Sequence, residues 1–237
     1  MIKVTKQSEG GDVEMAELSL VLGVTGGGKS YSLRNLPSEN TFLIQTTPKM
    51  LPFKGGDKKY VKLTKENPKG NLFVSDKSSI ILKALSSVNE REEIKYVFLD
   101  DMQYTIINSY LKRIREKLNG GDAFQKYNDL AADYNDIMNY IVHEMRDDII
   151  VFVASHVDTD DFGNTTIKTV GKLINDKIKI EGMSSLVLLT DLIDGEYVFR
   201  VNGEGIQKTP FGMFEENIIP NDLKLVIDAV EKWKKED

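Results

Sequence analysis

The chain has 237 residues, of which 41% are hydrophobic and 29% charged, with six prolines. This composition disfavours disorder and predicts a folded protein with a sizeable core, as one large α/β domain or two small ones. The absence of cysteine and the presence of only two histidines, His143 and His156, exclude disulfides, thiolate catalysis, Cys-ligated metal centres and a histidine-rich metal site. The net charge of −6 argues against wholesale coating of a polyanion. No apolar run approaches the ~18 residues that cross a bilayer, so a cytoplasmic protein without a membrane partner is expected.

In chain order, residues 1–16 mix charges with a Gly-Gly pair and read as a short strand or a loose lead-in. Leu18 to Leu22 form a continuous apolar run, too short for a helix and suited to a strand buried on both faces. It breaks into a glycine cluster, after which Lys29 to Leu36 are expected as a helix closed by Pro37. "TFLIQT" (41–46) predicts a second strand, followed to about Asn71 by a lysine-rich loop punctuated by Gly and Pro. Residues 78–88 predict a helix, and "KYVFLDD" (95–101) a third strand ending in two carboxylates.

A long helical tract follows in two parts, Tyr104 to Leu118 and Ala123 to Met145, divided by "NGGD". In the second part Ala131, Tyr134, Met138, Ile141 and Met145 recur at alternating spacings of three and four, which places them on one helix face. "DIIVFVAS" (148–155) is a fourth buried strand and "DTDDFGN" (158–164) a polar turn or mobile loop. Residues 184–202 read as an antiparallel hairpin turning at Asp194-Gly195, and a last helix runs from about Asn221, its expected N-cap, to Trp233 and Lys235. This alternation predicts a single α/β domain, a mainly parallel sheet flanked by helices with a C-terminal antiparallel hairpin.

Gly23-Val24-Thr25-Gly26-Gly27-Gly28-Lys29-Ser30 satisfies the phosphate-binding pattern G-x-x-x-x-G-K-[ST], between an expected buried strand and an expected helix. Glycines let the backbone wrap closely around phosphate oxygens, with successive N–H groups directed at the charge. Gly23 to Tyr31 are therefore candidate nucleotide-binding residues, with Lys29 reaching the β- and γ-phosphates and Ser30 ligating Mg²⁺. Asp100, after four apolar residues at a strand end, is the candidate for the magnesium shell. Asp101 beside it is either the carboxylate that activates water or a loop cap. His156 is either a reporter of the γ-phosphate or a strand-end cap, and His143 is a surface or packing residue. Seven lysines against two acids between Pro48 and Lys69 (Lys49, Lys54, Lys58, Lys59, Lys62, Lys65 and Lys69) read either as a solvated loop or as a nucleic-acid contact.

Together "GVTGGGKS", "VFLDD", "VFVASH" and "IQKTPFGMFEENIIPNDLKLVIDAV" resemble the RecA-like and AAA-like P-loop ATPases. In detail the chain is similar to the small phage-encoded ATP-binding proteins of the Sak-four-type single-strand annealing group. The resemblance implies a RecA-like P-loop core, ATP rather than GTP, and action on single-stranded DNA. It also implies a homo-oligomer, ring or filament, working with phage replication or recombination proteins in the host cytoplasm. The segment at Lys208 looks like the Lys-x-x-Phe-Gly element of RadA-type relatives, so Lys208 is either a cation acting on a neighbouring protomer's γ-phosphate or an exposed lysine. Two positions depart from the pattern: Pro210 stands where relatives place a second cation, and Gln45, Thr46 and Thr47 fall where they place a catalytic glutamate.

The expected function is thus a Mg²⁺-dependent ATPase acting on single-stranded DNA. Its rivals are an AAA-type loader or motor acting on a protein, and a nucleotide-binding protein with little catalysis. A nucleoside kinase would need an Arg-rich lid, which is not evident.

Overall fold

The computed structural model describes residues 16–113, 123–161, 165–168 and 180–235. Its strands are β1 (Glu17–Gly23), β2 (Thr41–Gln45), β3 (Leu72–Val74), β4 (Tyr96–Asp100), β5 (Ile150–Thr159), β6 (Thr165–Ile167), β7 (Leu186–Ile193), β8 (Glu196–Arg200) and β9 (Ile218–Pro220). The helices are α1 (Gly56–Lys59), α2 (Ser78–Asn89), α3 (Gln103–Arg113), α4 (Ala123–Glu144) and α5 (Leu223–Trp233). One mixed sheet runs β3-β2-β4-β5-β1-β7-β8-β9, with β6 added antiparallel to the end of β5. The pairs from β3 through β7 are parallel; β8 and β9 are antiparallel.

The central strands are apolar on both faces because both are covered. On one side Leu20, Leu22, Leu99, Val151 and Val153 pack with Ile81 and Leu85 of α2 and Met138 and Ile141 of α4. The predicted α4 stripe is buried throughout, from Ala131 to Met145. On the other side Val21, Leu43, Phe98, Phe152 and Leu188 pack with Leu223, Val226, Ile227 and Val230 of α5, an i, i+3, i+4, i+7 stripe. Each fully buried aliphatic or aromatic side chain contributes roughly 1.5–3 kcal/mol, so the two buried faces of the parallel strands hold the sheet together.

Several local expectations need correction. The helix expected over 29–36 is a single 3-10 turn, Ser32–Asn35, because Leu36 is already extended (ψ 142°) ahead of Pro37. The lysine-rich loop contains α1 and gives way to β3, which pairs parallel with β2. Asp158 and Thr159, expected in a polar turn or loop, instead extend β5, since β6 supplies their ladder partners. The final helix is capped by Asp222, not Asn221: Asp222 Oδ1 accepts from Lys224 N at 3.0 Å. The hairpin turn falls at Asp194-Gly195, both at positive φ (50° and 83°). Residues 1–15, Ile114 to Leu118 of the expected third helix, the "NGGD" divider and residues 162–164 lie outside the described residues.

Candidate functional site

In a parallel sheet all carboxyl ends lie on one edge, and here they bring four of the expected residues together. Gly23 at the end of β1 is in register with His156 of β5, and Gln45 at the end of β2 with Asp100 of β4. Because β5 lies between β1 and β4, the glycine loop and the aspartates stand two strand spacings apart, roughly 10 Å. Over these strand ends lies a cavity of about 510 Å³, lined among others by Gly26, Lys29, Ser30, Lys49, Asp101 and His156.

The loop is tight where glycine is required. Gly28 has φ +97°, and a Cβ there would meet the Tyr197 ring at 2.9 Å; a Cβ on Gly23 would collide with Thr190 Oγ1 at 1.9 Å. Gly27 N donates to Val24 O and Ser32 N to Gly28 O, whereas the N–H groups of Gly26, Gly28, Lys29 and Ser30 meet no backbone carbonyl among the described residues. Lys29 is 5% exposed and donates to Gly23 O (3.0 Å) and Val24 O (2.8 Å), so its ammonium lies along the loop's inner wall. Behind the loop, Arg34 stacks 4.1 Å over the Tyr31 ring and donates to Asn221 O, and Asn35 donates to Asp222 at 2.6 Å. The short 3-10 turn is thereby held by the start of α5.

Across the gap, Ser30 Oγ donates to Asp100 Oδ1 at 2.9 Å, joining the loop to the fully buried carboxylate. Asp101 has φ +62°, a conformation that costs an ordinary residue of order 1 kcal/mol and an aspartate less. Thr46 stabilises it by donating its hydroxyl to Asp101 O (2.7 Å) while its N–H donates to Asp100 O. Lys49 Nζ sits between the two carboxylates, 3.0 Å from Asp100 Oδ2 and 2.5 Å from Asp101 Oδ2. His156 Nε2 is 3.2 Å from Asp101 Oδ1 but not in line for a hydrogen bond, and its Nδ1 is 3.3 Å from Thr25 Oγ1.

Burial pulls the Lys29 ammonium down from 10.5 to about 8, with Asp101 and Asp100 opposing. Burial also works against the charge of Lys49, but the two aspartates outweigh it and hold its pKa above the ordinary value. Complete burial raises Asp100, helped by the charge of Asp101 and opposed by Lys49. Burial would raise Asp101 as well, yet His156 and Lys49 hold it well below the carboxylate range. The consequence for ligand binding has a definite sign. Lys29 is charged below about pH 8 and loses its proton above it, so affinity for a polyphosphate is expected to be level below pH 8 and to weaken above, by up to ~10-fold per unit. Calorimetry at pH 7, 8 and 9 in buffers of different ionisation heat checks this, with proton uptake on binding appearing near pH 8.

The other candidates fall elsewhere. Lys54, Lys58, Lys59 and Lys62 are exposed, and Lys59 donates to Arg34 O at 2.6 Å; Lys49 alone of the lysine group reaches the cavity. Lys208 pairs through its backbone with Val187, three residues before Thr190, and stands outside the cavity. Gln45 and Thr46 are buried at the strand end, Gln45 donating to Lys49 O. His143 lies on the exposed side of α4. Sequence reasoning did not place Lys49, Met50, Tyr104 and Tyr197 at the cavity. Lys49 had a usable signal, four residues beyond Gln45 on a strand parallel to the one that ends in Asp100. Tyr197 had none, since it arrives through an antiparallel return.

No helix among the described residues is long and apolar enough to cross a membrane. Neither a family model nor a curated protein matches the sequence.

Proposed function

We propose that this protein binds ATP with Mg²⁺ through a RecA-like P-loop core, hydrolyses it slowly, and acts on single-stranded DNA as an oligomer in phage-type recombination or replication. The observation that carries the nucleotide reading is the Ser30–Asp100 hydrogen bond, which closes a glycine loop onto a buried carboxylate at the carboxyl edge of a parallel sheet. In this reading the free N–H groups of Gly26, Gly28, Lys29 and Ser30 bind phosphate oxygens, and Lys29 transfers its ammonium from the loop carbonyls to the β- and γ-phosphates.

The residues present fit a magnesium ion. Ser30 and Asp100 would hold it, one neutral and one anionic oxygen already in contact. Among the described residues no cluster of three or more acidic or histidine side chains forms a cage, so phosphates and water would complete the shell, as is usual for this cation. Bound there, Mg²⁺ supplies charge neutralisation on the phosphates. Asp101 and His156 remain for the attacking water, Asp101 accepting its proton. A carboxylate held this far below its ordinary pKa is a weak base, which favours slow turnover and keeps alive the second reading, a nucleotide-binding protein with little catalysis.

The DNA and oligomer readings rest on the resemblance, on the exposed lysines after β2, and on Phe211, which is 99% exposed at a Pro-Phe-Gly turn beside Lys208. Phosphate release measured with and without single-stranded DNA tests the whole proposal. Stimulation of several-fold is expected, together with DNA binding that falls steeply with salt. No binding at low salt with or without ATP overturns the DNA reading, and no ATP binding overturns the nucleotide reading.

A further inference from the structure

We propose that Lys49 is a built-in competitor of the metal: its ammonium occupies the Asp100–Asp101 carboxylate pair in the nucleotide-free protein and must leave when a divalent cation arrives. This rests on the reading of Ser30 and Asp100 as the metal-holding pair. Lys49 Nζ is at hydrogen-bond distance from one oxygen of each aspartate, 3.0 Å and 2.5 Å. A hydrated Mg²⁺ that Asp100 binds through water places a water oxygen at that same distance from the carboxylate, and a direct bond brings the ion closer still, about 2.0–2.1 Å. Either way the ammonium and the dication claim one space, and like charges so close together repel strongly.

Three features make this more than a surface ion pair. Asp100 is fully buried and Asp101 nearly so, so without a cation two adjacent carboxylates would stand in a poorly solvated site. Ser30 Oγ lies 2.9 Å from Asp100 Oδ1 and 3.1 Å from Oδ2, so the serine and Lys49 converge on Oδ2, and an ion held between Ser30 and that oxygen meets the ammonium. Lys49 itself is on a movable footing: its side chain is one-third exposed, and Met50 beside it is 91% exposed. The carboxylates are rigid and the lysine is not, so exchange moves the lysine. Because Lys49 begins the segment leading to α1, its departure would pass the metal-bound state to the exposed Lys54, Lys58 and Lys59.

The test is Mn²⁺ binding to the nucleotide-free full chain, followed by the electron paramagnetic resonance of the free ion. Lys49→Met is expected to bind Mn²⁺ at least ~10-fold more tightly than the wild type, and Lys49→Arg, which keeps the cation, within about twofold of it. Adding Asp100→Asn to Lys49→Met should remove the gain. Lys49→Gln, which can still hydrogen-bond the aspartates, is measured alongside in case the methionine variant does not fold, and is expected to show the same gain. Equal Mn²⁺ affinity in wild type and the neutral variants overturns the proposal. Wild-type ATP binding is measured separately, so a loss of the nucleotide reading and a loss of the competitor reading give different results.

Discussion

Lys29→Ala is expected to lower ATP affinity by roughly 10²–10³-fold and to abolish hydrolysis while leaving the fold intact. The ammonium donates two hydrogen bonds to loop carbonyls, and those donors are the ones that would face the phosphates. Charge-assisted bonds of this kind contribute about 1.5–3 kcal/mol each, and 1.4 kcal/mol is a factor of ten in affinity. The effect on stability should be small because two terms oppose. The variant loses the loop bonds and a cation near Asp100 and Asp101, but it also loses a charge that burial disfavours strongly enough to bring its pKa to about 8. Fluorescent-nucleotide titration read beside urea denaturation separates the two; affinity within threefold of wild type would falsify the role given to Lys29.

Asp101→Asn is expected to cut ATP hydrolysis by ~100-fold or more with ATP affinity changed by less than threefold. A positioned base contributes typically 10²–10⁴ to a rate. Asparagine is the replacement that isolates this effect, since it adopts the left-handed backbone (φ +62° here) as readily as aspartate and keeps the carbonyl that Thr46 grips. Alanine would mix catalysis with backbone strain. Lys49 keeps Asp100 as a partner in the variant, so the site does not lose its ion pair altogether. Single-turnover rates at saturating nucleotide decide the matter, and unchanged turnover would transfer the role of base away from Asp101. In the nucleotide-free protein His156 and Lys49 hold Asp101 below its usual pKa against the effect of burial, so it is ionised there at every pH near neutrality.

The parallel core was legible because its strands are apolar runs of fixed length, and an apolar run such as "VFLDD" signals both burial and the point where burial ends. The α4 stripe was legible for the same reason, through period instead of run length. Where partners rather than composition decide the structure, the sequence was mute. Asp158 and Thr159 are polar and became strand because β6 returns beside them. Leu72 to Val74 are too few to announce a strand without β2 as a template. The loop's lysine, serine and aspartate partners could be expected from spacing, since a parallel sheet gathers its strand ends on one edge. Lys49 was grouped with its neighbours by charge, and only the register between Gln45 and Asp100 separates it from them.

The way the glycine loop is braced carries a consequence for how the molecule is made. Its own helical turn is four residues long, and its bracing contacts come from Asn221 and Asp222, 187 positions later. At translation rates of ~5–20 residues per second that separation is a delay of roughly 10–40 s. A nascent chain therefore carries the complete phosphate motif long before it has the residues that brace it. The loop's final geometry is set late, when α5 docks, and any ligand that needs the braced loop meets it only in the finished chain.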